Sequence, residues 1–241
     1  NVFADYPTFC KQYADFKRKR APPMSYDKEL VSHKLHRWEN YLIHYNLPAW
    51  KELPDIGLYM DQVIALLAQY LDFIPVEDQK NKPVTPTTIN NYVRLKVMPA
   101  PEKRKYYRIH IAYLIMIFTL KQGTSINGIQ QLLPASATEE EVRIFYTNYI
   151  QRLQDIAVFY VAQTRSAAQG LLEKPQEAKE EAIEDFIIQS ILMSGFSHIL
   201  AEKLLRLRDA ETQQVLEQES ISDARGARPV TAVPAQEGKE D

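Results

Sequence analysis

Apolar residues recur at three- and four-residue intervals along most of this chain, and the elements they predict are helices. Asn1 to Met24 carry Phe3, Tyr6, Phe9, Tyr13 and Phe16 at helical spacing, ahead of a basic KRKR and a Pro-Pro. That basic run suits a helix C-terminus, where the dipole favours cations, or contact with a nucleic acid. SYDKELVSHKLHRWENYLIHYN places Leu30, Leu35, Trp38, Tyr41, Leu42 and Tyr45 on one helical face. A third helix, DIGLYMDQVIALLAQYL, opens on Asp55 as N-cap and is striped by Leu58, Met60, Val63, Ile64, Leu67 and Leu71.

A proline-bearing polar loop over Asp72 to Thr85 follows. Thr85 then predicts an N-cap with Pro86 at the first helical position. The short helix beyond it turns Ile89, Tyr92, Val93 and Leu95 inward, and Pro99 and Pro101 forbid its continuation. EKRKYYRI favours extended structure, which predicts a small β-hairpin with Tyr106 packed inward and Tyr107 facing out. HIAYLIMIFTLKQG is a buried helix ended by Gly123, and Ser125 caps a short helix with Ile126, Ile129, Leu132 and Leu133. Thr138 and Glu141 fit a capping box. The long helix they open carries a heptad seam of Val142, Tyr146, Tyr149, Leu153, Ile156 and Tyr160, with Phe145, Ile150 and Phe159 off it. Two further helices, Ile183 to Met193 and Ser197 to about Leu216, precede a polar tail from Ser220. The fold class expected is mostly helical with a small β-hairpin.

Composition is that of an ordinary globular protein, so charge adds information only through its placement. The chain of 241 residues has a net charge of −2. Lys80 to Arg108 nevertheless hold eight Lys/Arg against one acid, Glu102, leaving 21 basic and 30 acidic residues elsewhere. A basic segment on an acidic body is the electrostatic footprint of an anion-binding surface. Cys10 is the single cysteine, so no disulfide forms within the chain. The longest apolar run, Ile109 to Leu120, is well short of the roughly 20 residues that span a bilayer. With no secretory signal visible, these features predict a cytoplasmic protein.

The basic segment has a chemistry that suits DNA. A helix N-terminus in a major groove lets Asn read adenine edges, which singles out Asn90 and Asn91. Thr87 and Thr88 can contact phosphates or base edges, and Arg94 and Lys96 add charge to the same helix. Lys103, Arg104, Lys105 and Arg108 can displace counterions along the backbone, and Tyr107 can donate to a phosphate oxygen. His110 either contacts phosphate or caps the buried helix.

TTINNYVRLKVMP resembles the second helix of MerR-type regulators, with Thr88, Ile89, Tyr92, Arg94, Leu95 and Pro99 in register. YYR stands where that family has the Tyr-Arg of its wing, and GTSINGIQQLL matches its G-F-S-L-x-x-I-x-x-L-L. Asn90 replaces a phosphate-binding Arg of that family, and Lys96 replaces a Gly. About Leu53 to Leu133 is closer still to a bacterial domain-of-unknown-function family, DUF 1836. The resemblance implies a MerR-like winged helix-turn-helix core, a role in transcription, and double-stranded DNA as partner. It also implies a homodimer through the helix from Thr138. The seam on that helix suits either a coiled coil between two copies or packing on Ile183 to Leu207 within one chain.

The organisation expected is an N-terminal helical segment over 1–53, a DNA-binding core over 54–135, a helical dimerisation and effector region over 136–219, and a disordered tail over 220–241. Helices of the third region could enclose a pocket for a small-molecule effector, although no residue there identifies it. His33 and His36 lie one turn apart, with Glu29 one turn before, but no Cys or second His pair joins them, and surface histidines explain them. No phosphate-binding loop, dinucleotide fingerprint or nucleophile elbow occurs. No enzyme, no cofactor, no metal and no membrane span are therefore expected. The alternative to a regulator is a protein–protein adaptor whose helix-turn-helix no longer binds DNA.

Overall fold

The computed structural model describes residues 26–74, 84–134 and 137–207. The N-terminal aromatic stripe, its KRKR, Cys10, most of the 72–85 loop and the polar tail lie outside the described residues. Within them, the chain forms α1 (Lys28–His44), a 3-10 turn (Trp50–Glu52), α2 (Met60–Tyr70), α3 (Pro86–Arg94) and α4 (Arg108–Leu120). α5 (Ile126–Leu132), α6 (Glu139–Ala167), α7 (Gln169–Glu173) and α8 (Glu180–Arg206) follow.

Three of the helix starts obey the local chemistry read from the sequence. Thr85 Oγ1 accepts from Thr88 N at 3.1 Å, ahead of Pro86. Ser125 Oγ accepts from Gly128 N at 3.2 Å. Thr138 and Glu141 close a reciprocal capping box, with Thr138 N donating to Glu141 Oε2 at 2.7 Å.

The core is built around α4, whose residues from His110 to Phe118 are buried on every side. α2 and the N-terminal half of α6 pack against it, and α3 packs on α2. Tyrosines tie the loops to this core. Tyr146 hydroxyl donates to Pro48 O at 2.9 Å, Tyr45 hydroxyl donates to Tyr70 O, and Tyr113 hydroxyl donates to Pro134 O. Tyr113 and Tyr146 are buried and Tyr45 is half-buried against the core, so each ring packs on the interior while its hydroxyl satisfies a backbone acceptor.

Three expectations are corrected. No β-hairpin forms: among the described residues there is no strand, only two isolated bridges, Glu102 with Lys105 and Leu58 with Tyr106. Pro101 ends the pairing on one side and Tyr107 begins the cap of α4 on the other, so no ladder can grow. Asp55 does not cap α2. Leu58 exchanges both backbone hydrogen bonds with Tyr106 at 2.8 Å, which delays the helix until Tyr59, whose N–H Gln62 Oε1 accepts at 2.9 Å. On α1, Leu30 and Trp38 of the anticipated apolar face are exposed, and the residues buried are Ser32 and Glu39. Ser32 Oγ donates to Leu172 O of α7, and Arg165 of α6 donates to Glu39 Oε2 at 3.2 Å. Polar contacts to distant helices thus set the roll of α1.

The seam on α6 divides in two. Val142 and Tyr146 are fully buried in their own chain, and Tyr149 and Leu153 pack on the core. Ile156 and Tyr160 are exposed.

Candidate nucleic-acid interface

The surface of interest begins with α3. Ile89 and Tyr92 bury one side of this helix, and Tyr92 meets Phe118 of α4 edge-on at 5.5 Å. Tyr92 is therefore the peg that holds the helix down. Thr87, Asn90, Asn91 and Arg94 occupy the opposite side at i, i+3, i+4 and i+7, one stripe of an α-helix. Arg94 donates to Asn91 Oδ1 at 2.7 Å, which fixes both side chains. Asn90 and Thr87 make no side-chain hydrogen bond to a described residue and face solvent. Thr88 differs: its hydroxyl is held by Thr85 Oγ1 at 2.8 Å as part of the cap.

α3 ends on Lys96, whose φ of 55° is left-handed. Lys96 N donates to Val93 O and Val97 N to Tyr92 O, both at 3.0 Å, the paired bonds of a Schellman cap. Glycine normally fills that position, because a Cβ there crowds the backbone. The chain then runs through Val97 and Met98, both buried, to a second basic feature.

That feature is a two-residue turn. Glu102 N donates to Lys105 O at 3.1 Å and Lys105 N to Glu102 O at 2.8 Å. Lys103 and Arg104 between them have φ of 47° and 65°. Two successive positive φ angles define the tight turn that Asn-Gly adopts most readily. Lysine and arginine there cost roughly 1–2 kcal/mol each relative to glycine. Both side chains project into solvent. Behind the tip, Lys105 lays its stem against Gly57, where an added Cβ would sit 2.9 Å from Lys105 Cβ. Its Nζ lies 5.5 Å from the Tyr59 ring centroid. Gly57 thus permits the turn to lie flat on the segment before α2.

The remaining residues of the basic segment are engaged with the body. Tyr106 is buried, and Tyr107 is half-exposed over Gly57. Arg108 Nε donates to Leu53 O at 3.0 Å, with its guanidinium 6.0 Å from the Trp50 ring centroid. His110 is buried. Its Nδ1 accepts from Tyr107 N at 3.0 Å and its Nε2 meets Ala100 O at 3.0 Å, partners that assign the proton to Nε2. It caps α4 and pins the loop before the turn.

Sequence reasoning overlooked Gly57, Tyr59 and Lys121, whose Nζ stands 5.7 Å from the Tyr92 ring centroid. A glycine ahead of a helix in a chain with only seven was the available signal for the first. The other two depend on contacts between distant segments. Among the described residues no group of three or more His, Cys, Asp or Glu could hold a metal ion, and His36 instead faces Leu172 O and Glu39.

Fold and surface together define an all-helical unit, among the described residues, that presents a polar helix stripe and a separate basic turn. Residues 48–149 match the family model described as a domain of unknown function (DUF1836), from just before the 3-10 turn to a point inside α6. No curated protein and no solved structure matches the chain. No helix among the described residues is long and apolar enough to cross a membrane.

Proposed function

We propose that residues 48–149 form a MerR-like helix-turn-helix module that binds double-stranded DNA, and that the chain regulates transcription through it. α3 is the reading helix, entering the major groove with Thr87, Asn90, Asn91 and Arg94. Lys96, Lys103 and Arg104 hold the phosphate backbone, and Lys105 and Tyr107 support the turn from behind. Arg108 positions the start of α4 against Leu53 and Trp50 rather than reaching phosphate.

The observation that carries the reading is the placement of cations at all three left-handed non-glycine positions of the described chain: Lys96, Lys103 and Arg104. Stability alone favours Gly or Asn at each. Charge retained where the backbone disfavours it points to a role for the charge. Phosphate contact supplies that role, and the uncharged stripe of Asn and Thr on α3 supplies groups that discriminate bases.

Selection from a random duplex pool tests the proposal. Enrichment of a defined sequence, abolished by Asn90→Ala, is the result expected. Failure to shift any duplex even at low salt would overturn it and leave the adaptor reading, which the exposed apolar surface of α8 favours.

A further inference from the structure

A groove runs between the C-terminal half of α6 and the first half of α8. Ile156, Phe159 and Tyr160 form one wall, and Phe186 and Met193 stand on the other with uncharged polar side chains between them. On α8 the lining residues Phe186, Met193 and Ser197 recur at seven and four, one face of that helix. No charged side chain among the described residues lines the groove. Ile156, Phe159, Tyr160 and Met193 are nonetheless 45–63% exposed. Two facing apolar helix faces with no cover of their own are the form of a groove that receives a third helix.

The chain brings a candidate to one end of this groove. Gln176, in the turn between α7 and α8, donates to Glu29 Oε1 at 2.6 Å, and Ser32 Oγ donates to Leu172 O. The start of α1 is therefore fixed beside the turn that leads into α8. Only Ala21 to Ser25 separate Arg20 from Tyr26, at most about 17 Å of extended chain. Such a tether holds residues 1–20 at the mouth of the groove at a roughly millimolar effective concentration.

The sequence of that segment fits the groove in length, pattern and charge. Pro7 lacks an N–H and suits only a first helical turn, which predicts a helix over 7–20. At 1.5 Å per residue it is about 21 Å long, and the groove follows α8 from Phe186 to Ser197 for about 16 Å. Phe9, Tyr13 and Phe16 recur at i, i+4 and i+7, the anchors of a helix laid in an apolar groove, and Lys11, Asp15 and Arg18 take the opposite face. Lys17 to Arg20 close the segment at its tethered end. There α8 opens with Glu180, Glu184 and Asp185, which stand outside the groove lining and form no ion pair with a described residue. Opposite charges gathered at adjoining helix ends attract without fixed pairs.

We infer that residues 7–20 dock as a helix in the α6–α8 groove of their own chain, antiparallel to α8, with Phe9, Tyr13 and Phe16 inward and Lys17 to Arg20 at the acidic start of α8. The inference stands independently of DNA binding, because it rests on residues outside 48–149 and is measured without DNA.

Hydrogen exchange of the full chain tests it. A helix this short is marginal in water on its own, so protection over 9–20 reports docking. The wild type shows that protection, roughly tenfold or more over unstructured chain, at every protein concentration. Phe159→Ser with Met193→Ser, both at exposed positions, removes it and leaves the buried amides of α4 protected as before. Glu180→Gln, Glu184→Gln and Asp185→Asn together weaken it at low salt. Three results overturn the inference. One is exchange over 9–20 at the rate of unstructured chain. Another is protection unaltered by the Phe159 and Met193 changes or by loss of the three acids. The third is protection that appears only as concentration rises, which seats the segment in a second copy.

Discussion

Lys96, Lys103 and Arg104 hold backbone angles that suit glycine or asparagine, and this makes single residues informative. Lys96→Gly relieves a left-handed Cβ at a Schellman cap, so thermal unfolding should move up by a few degrees, about 1 kcal/mol. Gly57 is the reverse case. Alanine there would place a Cβ 2.9 Å from Lys105 Cβ and 3.0 Å from the Tyr107 ring. Gly57→Ala should therefore lower stability by about 1–3 kcal/mol, as other overpacked sites do. Asn90 and Asn91 also separate. Asn90 is free of described partners, while Asn91 holds Arg94, so Asn90→Ala should change sequence preference and Asn91→Ala should weaken binding more evenly across sequences. Binding measured across a panel of duplexes distinguishes the two patterns.

Among the elements, what is legible in the sequence is what local chemistry decides. Thr85, Ser125 and Thr138 cap helices within a few residues of themselves, and all three caps form where the sequence places them. Tyr92 and Tyr106 are likewise inside as expected, since their neighbours fix the buried face. The start of α2 and the anticipated hairpin depart from expectation for one shared reason. Leu58 and Tyr106 pair their backbones across a long interval of chain, which holds the first out of a helix and isolates the second from any further strand. The face of α1 is set by Glu39 and Arg165, still further apart. Of the candidate interface, the residue types on α3 are legible, but the strained turn is not, because a Lys-Arg pair carries no turn signal. His110 settles as a cap. His110→Ala removes both of its hydrogen bonds in a buried site and should cost about 2–3 kcal/mol in denaturant unfolding.

For the whole molecule, tyrosine is the material that joins loops to core, and this has a consequence at high pH. Burial raises the hydroxyls of Tyr45, Tyr113, Tyr146 and Tyr149 above the ordinary value, and burial with the hydrogen bond to Asp72 raises that of Tyr41. Each is neutral when folded and ionises more readily when unfolded, so the folded state retains more protons. Stability is then fully present below about pH 10 and falls as pH rises beyond it. Tyrosinate absorbance should lag behind that of free tyrosine and then rise together with loss of helix; gradual ionisation with the helix intact would contradict this packing. The two halves of α6 express the same division of labour at larger scale. The first half completes the core within the chain, and the second faces α8 across an apolar groove that the described helices leave open.

The central claim is that the cations of the 102–105 turn are kept for phosphate at some expense to the fold. Lys103→Asn combined with Arg104→Gly tests it most directly, because this pair gives the turn the residues its backbone prefers. The account predicts a raised unfolding midpoint together with DNA binding at least tenfold weaker. It also predicts that log affinity falls less steeply with log salt, by about 0.9 in slope for each phosphate the variant no longer neutralises. Unchanged affinity and unchanged salt slope in a protein that is more stable would contradict it.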